Sequence, residues 1–212
     1  MISNMLKNFI SKTIKAQKMQ QKEYNSYTPF VVDYKSRPLS NDVTTRYARS
    51  EDAASIARII NENNNDPSLD YNYFLKRTRS ELAHGGNRSG FHIIVAQVGD
   101  QIVGYGRSIY YSELMIKNYS YPSPVGWYLM GVTIDPQYRG QNIGALLTRK
   151  RLDHINQVAS KAYYVANANN KTSIRMHEKF GFKEKERGAG FLKICFNNGL
   201  GILFECNLNN KD

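Results

Sequence analysis

Between residues 43 and 207 the spacing of apolar positions switches several times between period two and a helical period, and the switches delimit the elements. Val43 to Ala48 alternates as a first strand. Ser50-Glu51-Asp52 then supplies an N-cap and two acids for the first turn of a helix carrying Ile56, Ile59 and Ile60. That helix should stop within Asn61-Glu62-Asn63-Asn64-Asn65-Asp66-Pro67, and a second is expected from Leu69 to Ala83, closed by His84-Gly85-Gly86. Two apolar runs, Phe91 to Val98 and Gln101 to Tyr110, flank Gly99-Asp100 and predict a hairpin. Residues 111–126 are aromatic and proline-rich and read as a long ordered loop. A buried strand ending in Val132-Thr133-Ile134 is stopped by Asp135-Pro136. Ile143 to Ala159 follows as a helix with Leu146, Leu147, Leu152, Ile155 and Val158 on its buried face. Tyr163 to Ala166, a helix from Asn170 to Phe180, and strands at Phe182, Leu192–Phe196 and Ile202–Cys206 complete the chain. Hairpins mixed with a crossover predict an α/β fold, a mixed sheet with helices on both faces.

The first 42 residues stand apart. Lys7, Lys12, Lys15, Lys18 and Lys22 are interleaved with Ile2, Met5, Leu6, Phe9, Ile10 and Ile14, which describes a basic amphipathic helix. It is followed by a polar stretch to Asn41. This divides the chain into an extension, 1–42, and one domain, 43–212. The extension is open to several uses: packing on its own domain, forming a homodimer, touching a membrane surface or addressing an organelle.

Composition narrows the partners without choosing one. The net charge of +11 over 212 residues favours anionic ligands. No run of about 18 uncharged apolar residues is present, which predicts no transmembrane segment. Cys195 and Cys206 are the only cysteines and lie in no metal-ligand spacing, so no metal is expected and a reduced, cytoplasmic setting is.

The most informative stretch is Leu129 to Leu147. After its strand come Arg139-Gly140-Gln141-Asn142-Ile143-Gly144, where small or αL-tolerant residues at 140, 142 and 144 let successive backbone N–H groups turn inward at a helix N-terminus. Such a turn predicts an anionic ligand. A second stretch, Asn170-Lys171-Thr172-Ser173-Ile174-Arg175-Met176-His177-Glu178-Lys179-Phe180-Gly181-Phe182, caps a helix with Asn170 and ends it at Gly181. The first stretch resembles the acyl-CoA-binding motif of the GNAT acetyltransferase superfamily, Arg/Gln-x-x-Gly-x-Gly/Ala, with Asn142 in place of the usual Gly. The second resembles that superfamily's Asn-x-x-Ala/Ser-x-x-x-Tyr/His-x-x-x-Gly-Phe pattern at every anchor.

The resemblance implies a mostly antiparallel central sheet splayed at its central strands. It implies acetyl-CoA as co-substrate and acetyl transfer to a primary amine by direct attack. It points to the Val132 backbone N–H as oxyanion donor and to the Ile134 backbone as a grip on pantetheine. Phosphates would lie on Arg139, Gly140, Gln141, Asn142, Ile143 and Gly144, with Asn170 and Ser173 also against the cofactor. His177 stands where many members have a Tyr that protonates the leaving thiolate; it would serve as that acid or as a hydrogen-bond donor to the CoA sulfur, or else as a His packed beside the cofactor. Tyr128 occupies the position of a strand Glu that some relatives use as base, so Glu113 in the long loop is the candidate base, directly or through water.

The acceptor is left open. Asp66, Asp70, Glu113, Tyr111, Tyr119, Tyr121 and Trp127 offer acids and aromatics that suit a cationic small amine, and a protein amine is an equal alternative. Two competing functions are a non-catalytic acyl-CoA sensor and a nucleic-acid binder. The basic residues are too dispersed for the second and no nucleic-acid motif is present, so no nucleic acid is expected.

Overall fold

The computed structural model describes residues 42–84, 90–196 and 199–208. The predicted hairpin is present: β2 (Phe91–Val98) and β3 (Gln101–Tyr111) turn at Gly99, whose φ of 53° is left-handed. On one side β1 (Val43–Tyr47) pairs antiparallel with β2. On the other, β4 (Gly126–Ile134) runs antiparallel to β3 from Tyr111↔Gly126 to Gly104↔Ile134. β5 (Lys161–Asn167) is parallel to β4, and β9 (Gly201–Asn207) and β6 (Lys183–Gly188) continue antiparallel, giving the order β1-β2-β3-β4-β5-β9-β6. The result is a seven-stranded, mostly antiparallel sheet with a single parallel pair at β4–β5.

Helices cover both faces. On one lie α4 (Ile143–Ile155) and α5 (Lys171–Glu178), packing Leu147, Leu152, Ile155 and Ile174 against Val103, Leu129, Ala162 and Phe204. The other face carries α1 (Ala53–Glu62), whose Ile56 and Ile59 meet Ile93, Val95 and Tyr105, and α2 (Tyr71–His84), which adds Leu82. The two-residue strands β7 (Gly190–Phe191) and β8 (Ile194–Cys195) fold over the same face onto Tyr111, Tyr128 and Tyr163. Burying this apolar surface is the main driving force for the fold. In β3 the alternation Gly104-Tyr105-Gly106-Arg107 reflects the two faces: a Cβ at Gly104 would make ordinary contact with Ile143 at 3.5 Å, whereas one at Gly106 would crowd the Arg151 guanidinium of α4 at 3.1 Å.

Several expectations need correction. The 111–126 segment contains a short helix, α3 (Glu113–Ile116), capped by Ser112, and is stitched to the β7–β8 region by the Tyr121↔Leu192 bridge. The helix after the glycine-rich turn ends at Ile155, and Val158, predicted to be buried, is 60% exposed. β6, KEKERG, has no apolar residue to betray it. It forms an edge strand whose first five side chains are exposed, and it is held by ladder bonds to β9 and by the Lys185–Glu205 ion pair. The expected N-terminal helix, and with it the homodimer that was one of its open uses, lie outside the described residues. Among the described residues no helix is long and apolar enough to cross a membrane.

Candidate acyl-donor site

Two consecutive features of β4 create the opening. Pairing with β5 lasts only for Trp127↔Ala162, Tyr128↔Tyr163 and Leu129↔Tyr164; beyond it β5 keeps its pairing with β9 and β4 its pairing with β3, so a wedge opens between them. At the head of the wedge the register with β3 shifts. Arg107 stands opposite Met130 but Gly106 opposite Val132, which makes Gly131 an extra residue, a β-bulge. Gly131 is exposed, and Val132, Thr133 and Ile134 are half-buried. The crossover through α4 leaves one end of β4 and returns the chain to the other, which makes the β4–β5 pair parallel.

The turn that ends β4 is anchored on both sides. The buried Asp135 accepts from Gln137 N–H at 3.0 Å, capping a 3₁₀ turn at Pro136–Tyr138, and pairs with Arg58 of α1 at 2.9 Å. Arg139 donates to the Ile134 carbonyl and to the Asn63 side chain at the end of α1. Its guanidinium therefore helps to hold the turn in place. Gly140 (φ 78°) and Asn142 (φ 57°) are both left-handed, with Gln141 between them, and Ile143 and Gly144 open α4. Alternating handedness at a helix start directs successive N–H groups to one side, where the first helical donors have no intrahelical partner. Asn is the residue after Gly that best tolerates this conformation, so its presence at 142 fits the turn.

α5 lies beside this site on the same face. Asn170 caps it, accepting from Ser173 N–H at 3.3 Å, and the Ser173 hydroxyl accepts from Tyr164 at 3.1 Å. His177 is 4% exposed, stacked on Tyr164 at 3.8 Å with Phe182 against its edge. Its Nδ1 lies 2.8 Å from the Ser173 carbonyl, which can only accept, so Nδ1 carries the proton. Nε2 is buried without a hydrogen-bond partner among the described residues. Burial, with the positive charge of Arg151 adding to it, outweighs the Ser173 bond and pulls the imidazole down to about 4. Proton donation from Nε2 would require the imidazolium that this environment disfavours. The geometry supports the packing role of His177 over the acid role.

Glu113 is not brought to the bulge. It starts α3, exposed, two residues past Tyr111, which pairs with Gly126, and six residues of strand separate Gly126 from Val132, ~20 Å. Tyr128 is wholly buried and its hydroxyl donates to the Pro124 carbonyl at 2.8 Å; burial first, then the neighbouring tyrosines, push its pKa up, so it cannot serve as a base. The acids expected to frame an acceptor serve their own backbone: Asp66 accepts from Ser68, and Asp70 caps α2 through Tyr73 N–H. Trp127 and Tyr111 are buried. On the α2 face beside the bulge lies a group that sequence reasoning missed, in which Glu81 accepts from Arg107 and Arg77 at 3.0 Å each and Thr133 donates to Tyr105. The alternation of β3 puts Tyr105 and Arg107 on one face, but nothing local places Glu81 beneath them. The Arg149-Lys150-Arg151 run also divides: Arg149 is exposed above the Phe180 ring, while Arg151 is 1% exposed.

Comparison with known proteins agrees with this geometry. The chain is 26% identical over 160 residues to a mouse thialysine N-epsilon-acetyltransferase, covering 71% of this chain and 90% of that one. Among solved structures, the ribosomal-protein-S5-alanine acetyltransferase from Vibrio fischeri matches with a TM-score of 0.60 at 13% identity, covering 82% of this chain and 97% of that one. The Salmonella typhimurium protein yncA, determined with its cofactor acetyl-CoA, matches with a TM-score of 0.58 at 19% identity over 80% and 96% of the two chains. The Acetyltransferase (GNAT) family model matches residues 53–182, a span that runs from α1 through the wedge to the residue after Gly181. The chain therefore belongs to the GNAT acetyltransferase family, an acetyl-CoA-dependent N-acetyltransferase by that membership.

Proposed function

We propose that this enzyme acetylates a primary amine on a small molecule by direct attack on the thioester of acetyl-CoA. The observation that carries the reading is the coincidence, on one strand, of an opening between β4 and β5, a bulge at Gly131 that frees backbone donors, and a left-handed turn at Gly140 and Asn142 one short step beyond. The Gly140–Gly144 backbone suits the pyrophosphate, the Val132–Ile134 edge suits an extended amide-bearing arm, and the bulge lies where the thioester carbonyl would reach. The neutral amine nitrogen bonds to the carbonyl carbon, the C–S bond breaks, and the proton lost by nitrogen ends on the CoA sulfur, giving amide and free thiol. Backbone N–H groups aimed at the developing oxyanion are worth roughly 3 kcal/mol in enzymes of this kind of chemistry.

The mouse relative's name, thialysine N-epsilon-acetyltransferase, supports an acceptor with a primary amine on a flexible chain. Arg107 and Arg77 around Glu81, on the α2 face, offer charges of both signs to an amine that also bears a carboxylate. A protein amine is the second reading, favoured by the ribosomal-protein-S5-alanine acetyltransferase among the structural neighbours.

The test is thermal stabilisation by acetyl-CoA followed by thiol release with thialysine, lysine, polyamines, aminoglycosides and N-terminal alanine peptides. Turnover with small amines is the expected result. Turnover on peptides alone would move the assignment to the second reading, and stabilisation without any turnover would make the protein a sensor.

A further inference from the structure

A charged side chain that is fully buried without an ion-pair partner is costly, and Arg151 has none among the described residues. Its guanidinium donates through Nε to the Leu147 carbonyl at 3.2 Å and through Nη2 to Thr148 Oγ1 at 3.0 Å, both one turn back on α4. Through Nη1 it reaches two strands at once, the Arg107 carbonyl of β3 at 3.0 Å and the Met130 carbonyl of β4 at 3.1 Å. These partners are all neutral oxygens, and burial pulls the guanidinium down to about 9, which leaves it charged at neutral pH. Gly106 is bare where the guanidinium passes.

Arg107 and Met130 are the last paired residues before the bulge. Because one Nη1 lies between their two carbonyls, the Met130 carbonyl is turned towards β3. All peptide bonds of the described residues are trans, so the N–H of Gly131, on the other side of that peptide unit, is turned away from β3 and into the wedge. After the bulge, Asp135 N–H donates to the Val103 carbonyl at 2.9 Å, and by alternation Thr133 also faces β3. Gly131 and Val132 are thus confined between two fixed ladder positions.

We infer that Arg151 is the positioning residue of the acyl-transfer site: it holds the Met130–Gly131 peptide so that the bulge presents its backbone N–H groups to the thioester carbonyl. Its charge, on the carbonyl side of that peptide, also polarises the N–H on the far side. The inference rests on the acetyl-transfer reading above, with the oxyanion at the bulge. It adds that the donor is set from beneath by one side chain of α4.

Two variants test it. Arg151→Lys keeps a charge but cannot span both carbonyls. Gly106→Ala keeps the arginine and sets a Cβ 3.1 Å from its Cζ and Nε, which displaces the guanidinium. Both should lower kcat about tenfold or more, as misplaced oxyanion donors do, while the Kd for acetyl-CoA changes less than about threefold. A readout independent of turnover is the infrared carbonyl stretch of bound [1-13C]acetyl-CoA, which should move back towards its value in water in both variants. Folded variants with wild-type kcat and wild-type stretch would overturn the inference. Loss of folding in both would assign Arg151 to stability alone and overturn it as well. If the wild-type enzyme neither binds acetyl-CoA nor acetylates any amine, it is the functional reading that fails, and the two failures are separate observations.

Discussion

Replacing His177 with Phe separates a catalytic histidine from a packed one, because the two roles predict opposite patterns of stability and rate. In the folded protein the ring is held near a pKa of about 4, against 6.5 for the exposed side chain, with burial the main cause. The unfolded chain takes up a proton first as the pH falls, so the neutral ring contributes stability in full above about pH 6.5. That contribution is lost as the pH drops towards 4. The gap between the two values corresponds to ~3 kcal/mol, fully developed below pH 4. His92, 4% exposed and also held at about 4 by burial and by His154, gives a second increment of similar size. A phenylalanine in place of His177 would keep the stack on Tyr164 and lose the bond to the Ser173 carbonyl, ~1 kcal/mol, while removing the unpartnered Nε2. The expected result is near-wild-type kcat at neutral pH and a urea-unfolding free energy that falls by ~3 kcal/mol less than wild type between neutral pH and about pH 4. A kcat lowered a hundredfold in a folded variant, or an acid sensitivity equal to wild type, would refute the reasoning.

Other outcomes follow from single contacts. Asn142→Val puts a β-branched residue into a left-handed turn and should cost ~1–2 kcal/mol in thermal unfolding and weaken acetyl-CoA binding by calorimetry, whereas Asn142→Gly should do neither. Glu113→Gln should leave the pH dependence of kcat/KM unshifted, since the carboxylate lies away from the bulge; a displaced profile would reinstate it as base. Tyr128→Phe should lose about 1 kcal/mol of stability through the Pro124 carbonyl, measured by denaturant midpoint, with no change in the alkaline limb of the rate profile.

Sequence reading reaches the elements whose signals are local. Gly99-Asp100 announces the hairpin, the Gly140/Asn142 pair the turn, and Asn170 with Gly181 both ends of α5, because each is a statement about one stretch of backbone. It also reaches the family, through the two motifs. It fails where a neighbour from elsewhere in the chain decides. β6 is charged throughout and is a strand only because β9 offers a ladder. Glu81 becomes part of the site through Arg107, 26 residues away in sequence. Asp66 and Asp70 have the chemistry to bind an amine and are spent on their own turns. Arg151 is legible in principle: Ile143, Leu147, Arg151 and Ile155 recur every four residues along the buried side of α4, and its place next to Arg149 and Lys150 in the sequence hides the phase.

The short seam between β4 and β5 also bears on association. A strand edge with open donors and acceptors invites a strand from another molecule, and a sheet with a wedge in its middle has two more such edges than a closed one. In this protein the outer edge at β6 is fenced by charge, with Lys185 bound to Glu205 and Arg187 to Glu184. The lips of the wedge lie inside the sheet, with Val132 and Ile134 packed beneath α4 on one face and Val165 against the β7–β8 region on the other, instead of facing outward. The backbone that the proposed acetyl transfer needs unpaired is thereby kept where a slender extended ligand can enter and a neighbouring sheet cannot.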